Sequence, residues 1–179
     1  MTEQMVVTLG ADGEPLSVMP RMAAHVAPGV LHLAVSLQVV DPSGRWLLQQ
    51  RAATKLTFAG RWANTCCTHP APGEDPATAA VRRAGQEVGL VVSRVVPAGC
   101  FVYRAEDASS GVVEWELDHV FAVVADTSAA TVDPAEIDVI ARLPYADALR
   151  LVTSPVGAPW AAEVLQRSLA ALSAAGRRP

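Results

Sequence analysis

The sequence predicts one α+β domain, a mixed β-sheet flanked by helices, and three observations carry the prediction. Segments rich in β-branched and aromatic residues, bounded by Gly, Pro, Asp and Ser, recur at 31–40, 91–103 and 112–124. Two other segments show helical spacing instead: 76–88, opened by Asp75 and Pro76, and 159–174. At 179 residues, with no internal repeat or low-complexity linker, the chain is sized for a single domain (1–179) with its own core.

Residues 5–9 read as a strand entering a turn at 10–15, with 16–19 returning, so that 1–22 form an N-terminal edge hairpin. A loop over 23–29 carries His25. The strand 31–40 ends at Asp41-Pro42-Ser43-Gly44, a tight turn that sends the chain back through 45–51 as the second strand of a hairpin. Residues 51–60 form a polar loop with two cations, Arg51 and Lys55, and lead into Asn64-Thr65-Cys66-Cys67-Thr68-His69-Pro70. After a turn at 70–73, Asp75 is placed to accept from the free N–H groups of the first turn of helix 76–88, and Pro76 suits its first position. Ala77, Ala80, Val81, Ala84 and Val88 form its apolar face, and Gly89 can take the left-handed conformation that ends it. Strands 91–103 and 112–124 flank a turn at 106–111. Residues 136–142 form a further strand, 144–152 a short helix and 159–174 the last helix, stopped by Gly176 with 176–179 as a flexible tail.

Composition excludes several classes. The net charge is -4, and the only basic doublets are Arg82-Arg83 and Arg177-Arg178, too few for a surface that tracks nucleic-acid phosphates. Three cysteines, two of them adjacent, make no disulfide framework, and the first residues lack a charged-then-apolar signal, so a cytoplasmic location is expected. No apolar run reaches the about 18 residues of a membrane span. The longest, 31–40, is broken by His32, Ser36 and Gln38.

The chemistry-bearing residues gather around the central stretch. Cys67 and His69 are two apart on an extended segment and so share a face. Such a pair can be two metal ligands, a nucleophile with its base, or an acid/base group beside a metal. Glu114, Glu116 and Asp118 share one face of strand 112–124, with Trp115, Leu117 and His119 on the other. His25, His32 and His69 with Glu114 and Glu116 would suit Mn, Mg or Zn. Each also has a plainer reading alone: hydrogen-bonded histidines, a solvated strand face, surface cations at Arg51, Lys55, Arg82 and Arg83, a core Trp160, a strand Tyr103 with a satisfied hydroxyl. Cys66 and Cys100 read as buried small hydrophobes, and His119 is left outside the site.

Further motifs match in order and spacing: Ala24-His25, Leu31-His32-Leu33-Ala34, Leu48-Gln49-Gln50-Arg51 with Lys55, and Asn64 to Pro70. Arg82-Arg83 with Gln86-Glu87-Val88-Gly89, Tyr103-Arg104, Glu114-Trp115-Glu116 and Pro159-Trp160 extend the match. On these the chain resembles the type I isopentenyl-diphosphate:dimethylallyl-diphosphate isomerases, enzymes of Nudix-like fold, over nearly its whole length. The resemblance implies a divalent metal (Mn, Mg or Zn) held tightly by His25, His32, His69, Glu114 and Glu116. It further implies Cys67 and Glu116 as the acid/base pair, with Tyr103 hydrogen-bonded on the acidic side, and a Mg ion shared by Glu87, the Cys67 carbonyl and the substrate diphosphate. Arg51, Lys55 and Arg83, with Arg21 where the family commonly has Lys, would bind the diphosphate, and Trp160 would face the reacting carbons. The implied partner is a small prenyl diphosphate, with neither nucleic acid nor membrane, and the protein a monomer or weak homodimer.

Aligned on Gly89, the chain keeps Glu74 and Glu87 of the Nudix hydrolase box, while Arg83 and Gln86 replace acids. This speaks for isomerase over diphosphate hydrolase. Val35, Phe58-Ala59, Trp115 and Gly85 depart from the isomerase pattern, which keeps a longer prenyl or terpenoid diphosphate open as an alternative substrate. A binding protein with a structural metal is the reading from a different class. Structural sites are typically closed and rich in Cys, unlike this donor set.

Overall fold

The computed structural model describes residues 4–177. The N-terminal hairpin pairs β1 (Met5–Leu9) with β2 (Pro15–Pro20), and the single-turn α1 (Arg21–Ala24) follows with His25 as its C-cap. Then come β3 (His32–Val40), β4 (Arg45–Arg51), β5 (Trp62–Ala63), β6 (Cys66–Thr68) and α2 (Pro76–Val88). The remainder is β7 (Val96–Asp107), β8 (Val112–Val124), β9 (Ile137–Pro144), α3 (Tyr145–Thr153) and α4 (Ala161–Ala174). The expected α+β architecture is observed, and the bounds of β1, β4, α2 and β8 coincide with those read from the sequence. The caps of α2 are those its sequence requires: Asp75 accepts from the Thr78 N–H at 2.9 Å, and Gly89 has φ 65°.

At the centre β3 runs parallel to β8 from His32↔Glu116 to Val40↔Val124, with β6 antiparallel on its other side and β7 antiparallel to β8. The sheet carries helices on both faces. Under α2 lie Val35, Leu37, Val39, Leu47 and Phe121. The other core contains Val40, Trp46, Leu48, Val120 and Trp160, with residues of α3 and α4 packed over it.

Three expectations change. The 31–51 hairpin is joined at one residue pair, Val40↔Trp46, because β3 pairs with β6 and β8 while β4 pairs with β9. Side chains bridge the opening: Gln38 Nε2 donates to the Leu47 carbonyl, and Thr65 Oγ1 accepts from Val39 N–H and donates to the same carbonyl. The strand read as 91–103 lies further along. Val91 is fully exposed, whereas Glu106 and Asp107, turn formers by composition, pair with Val113 and Val112. Cys100, read as buried, is exposed on β7, while Cys66 is buried as expected. Alternation on an edge strand does not reveal which face is covered.

Candidate active site

Strand register builds the site. Side chains alternate along a strand, so Glu114, Glu116 and Asp118 emerge on one face of β8, and that face is buried, at 7%, 6% and 1% exposure. The solvated-face reading is therefore overturned. β3 sets His32 opposite Glu116 and Ser36 opposite Cys67, and β7 sets Tyr103 opposite Glu116. The end of α1 adds His25, and the segment after β6 adds His69.

One donor atom each from His25, His32, His69 and Glu116 lies within 4.8 Å of the others. His32 Nε2 is 3.1 Å from His69 Nε2 and 3.4 Å from Glu116 Oε1, and His69 Nε2 is 3.0 Å from that same oxygen. The Nδ1 atoms of His25 and His32 each face a carbonyl at 2.7 Å, those of Arg21 and Val30. A nitrogen facing a carbonyl carries the proton, which leaves Nε2 as an inward lone pair. Bare imidazole nitrogens and a carboxylate this close repel unless a cation lies among them. Three imidazoles and one carboxylate at this spacing fit a divalent ion bound at about 2.0–2.2 Å. Glu114 stands beside this group, linked to it by the Tyr103 hydroxyl, which lies 2.6 Å from Glu116 Oε2 and 3.1 Å from Glu114 Oε2.

Burial pushes His25 down to about 4, so it is neutral at pH 7. Burial alone would raise Glu116, but the adjoining imidazoles of His32 and His69 outweigh it and hold the carboxyl well below the usual range. Burial and the Glu116 charge raise Glu114 to about 7 and Asp118 to about 8. A row of acids so perturbed is a site arranged to receive positive charge.

Cys67 Sγ lies 3.3 Å from both Asn64 Oδ1 and Ser36 Oγ. Burial, reinforced by the Asp118 charge, pushes its thiol up to about 12. Asn64 Oδ1 also accepts the Trp160 indole N–H at 3.1 Å, while its amide donates to the Leu37 and Cys66 carbonyls. Trp160 packs against Tyr103 and edge-on to Phe58, with the Arg51 guanidinium 5.5 Å from its ring centroid.

Two cations meet on one acid. Lys55 Nζ and Arg83 Nη2 both pair with Glu136 Oε2, the latter at 2.9 Å, and Arg83 also reaches Glu87 Oε1 at 2.5 Å. Glu87 in turn accepts from Gln49 Nε2 at 3.1 Å. Arg82, one residue round the helix from Arg83, points outward to Glu74. A single cavity of ≈ 270 Å³ touches Arg21, Arg51, Lys55, Arg83, Cys67, Tyr103, Trp160, His25, His69, Glu114 and Glu116. His32 is buried behind it within the donor cluster, and Glu87 lies beneath Arg83. Of the departures, Val35 is in the core under α2 and Trp115 is on the opposite face of β8, while Phe58 reaches the cavity only through Trp160.

Sequence reasoning gave no role to Ser36, Asn64, Asp118 or Glu136. Asn64 stood in the central stretch and Asp118 on the acidic face, so each carried a signal. Ser36 was marked only as a polar break in the apolar run 31–40, and nothing in sequence marked Glu136, which lies in the turn before β9.

Residues 30–167 match the NUDIX domain family. An isopentenyl-diphosphate Delta-isomerase of Nocardia farcinica is 44% identical over 168 residues, 92% of this chain and 95% of the relative. One of Halorhodospira halophila is 43% identical over 132 residues, 74% of this chain and 75% of the relative. Among solved structures, a Deinococcus radiodurans protein aligns with TM-score 0.68 at 15% identity, covering 92% of this chain and 99% of its own. A MutT NUDIX hydrolase from Burkholderia pseudomallei aligns with TM-score 0.59 at 20% identity, covering 76% and 97%. These structural likenesses concern the fold.

Proposed function

We infer that this chain, which belongs to the isopentenyl-diphosphate Delta-isomerase family of NUDIX-domain proteins, interconverts isopentenyl and dimethylallyl diphosphate. The observation that carries the mechanism is the single cavity in which Cys67, the Tyr103–Glu116 pair and the cations Arg21, Arg51, Lys55 and Arg83 all meet. Its volume of ≈ 270 Å³ lies just under the roughly 300–1,000 Å³ of pockets for drug-sized ligands. The activity for which the relatives are named favours a five-carbon diphosphate over a longer prenyl chain.

His25, His32, His69 and Glu116, with Glu114 adjoining, would hold a divalent ion, of which Mn, Mg and Zn all suit the donor set. When bound, it supplies fixed positive charge that increases the acidity of a carboxyl group beside it. Glu87 and the Cys67 carbonyl would hold the Mg that accompanies the substrate diphosphate. The four cations neutralise that diphosphate, Lys55 and Arg83 exchanging their partner Glu136 for phosphate oxygens.

Isomerisation adds one proton at the terminal alkene carbon and removes one from the carbon on the other side of the branched centre, through a tertiary carbocation-like state. Cys67 is a thiol at neutral pH and Glu116 a carboxylate, so one can give a proton while the other takes one. The exchange reverses with the direction of reaction. Tyr103 donates to Glu116 Oε2 and fixes that carboxylate. Trp160 offers its ring face to the cationic carbon, worth about 2 kcal/mol when water is excluded. Glu74 is turned away to Arg82, and Gln86 is exposed, which removes two of the box positions that diphosphate hydrolysis would need.

The test is conversion of isopentenyl diphosphate by metal-loaded protein in heavy water with Mg, following deuterium uptake and phosphate release together. Deuterated dimethylallyl diphosphate without free phosphate is expected. Released phosphate would point to a hydrolase, and no conversion with the metal bound would sink the five-carbon substrate. Cys67→Ala should lower turnover by about 10³-fold or more while metal content, measured by plasma emission, is unchanged.

A further inference from the structure

Behind Cys67 lies a buried carboxyl for which the proposed chemistry has no task. Asp118 is 1% exposed, and its Oδ1 has no hydrogen-bond partner among the described residues. Leaving such an oxygen unpaired in the interior is costly, and an apolar residue would avoid it. Its other oxygen, Oδ2, accepts the Ser36 hydroxyl at 2.7 Å, and Ser36 Oγ lies 3.3 Å from Cys67 Sγ. A serine hydroxyl has one proton and two lone pairs. Ser36 Oγ thus stands in contact with both the Asp118 carboxyl and the sulfur. Three strands fix this geometry: β6 sets Cys67 opposite Ser36 of β3, and β8 brings Asp118 alongside. On its other side the sulfur meets a second acceptor, Asn64 Oδ1 at 3.3 Å.

We propose that Ser36, held by Asp118, is a positioning residue that fixes the Cys67 sulfur in the wall of the cavity. A hydroxyl free to rotate could donate to or accept from sulfur. Tied to Asp118, its oxygen is held against the sulfur, which restricts the positions open to the thiol. The proposal rests on Cys67 being the acid/base group of the isomerase.

The experiment is steady-state isomerisation by the metal-loaded enzyme for Ser36→Ala, Asp118→Ala, the double variant and Cys67→Ala, with metal content and Tm measured on each. Misdirected reacting groups lose turnover more than binding, so Ser36→Ala should lower kcat about tenfold with KM within about twofold and metal content unchanged, while Tm falls because buried Asp118 loses its partner. Because the two residues act as one unit, the double variant should lose no more than the worse single one. Ser36→Ala at wild-type kcat, a loss seen in KM instead, or multiplying losses in the double variant would overturn the proposal. Should Asp118→Ala fail to fold, the near-isosteric Ser36→Ala decides through its split between kcat and KM. Wild-type turnover by Cys67→Ala would instead sink the role given to the cysteine, whatever Ser36→Ala does.

Discussion

His25 shows how burial turns an ordinary residue into a ligand. Its Nδ1 is fixed by the Arg21 carbonyl, and burial lowers its pKa from 6.5 to about 4, so it offers a neutral imidazole. The unfolded chain therefore binds more protons than the fold between pH 6.5 and about 4, and the stability contributed by neutral His25 is lost as pH falls through that window. Raised Glu114 and Asp118 act in the opposite sense, so the His25 part is read as a difference: in thermal melts of the metal-free proteins the wild type should lose Tm relative to His25→Phe as pH falls through that window. Tyr103 is the matching test on the acidic side. Removing its hydroxyl deletes the short bond to Glu116, so Tyr103→Phe should reduce kcat by about 10²-fold at unchanged metal content, read by the same isomerisation assay.

At the scale of elements, α2 does two jobs. Its apolar face packs under the sheet, and its other side presents Arg83 and Glu87 to the site while Arg82 pairs outward with Glu74. Gly85 lies on its exposed side, and a Cβ there would meet nothing closer than the Leu90 carbonyl at 4.0 Å. Gly85→Ala should therefore stabilise the protein by about 0.5–1 kcal/mol, seen as a higher denaturant midpoint, with unchanged turnover. Gly89 is the opposite case. It has φ 65°, and a Cβ would come 2.3 Å from Thr131 Oγ1, so Ala there strains both backbone and packing. Asp75, Pro76 and Gly89 made this helix legible residue by residue, since capping depends on neighbours along the chain. β7 was less legible, because its limits follow from its pairing with β8 and not from its own composition.

Across the whole molecule, the metal donors come from three separate elements, α1 with its C-cap, β3 and β8, and from the segment that follows β6. A bound ion thus ties together parts distant in sequence and adds stability by binding the folded state alone. Chelation should lower Tm, and Mn, Zn or Mg should restore it; an unchanged melt would mean that the ion contributes nothing to the fold. No helix among the described residues is long and apolar enough to cross a membrane. Met5–Leu9 and Pro15–Pro20 pair antiparallel within the stretch 1–22, while residues 1–3 and 178–179 lie outside those described. By itself, the sequence determined the α+β class, the capped α2, the alternation that puts Glu114, Glu116 and Asp118 on one face, and the residues worth examining. Each depends on spacing along the chain. Only the tertiary structure decided that this acidic face is buried, that Cys100 is not, that Glu136 holds both Lys55 and Arg83, and that Ser36 and Asp118 stand behind Cys67. Those facts depend on the register of β3 against β6 and β8, strands far apart in sequence, whose pairing is set by burying two cores at once.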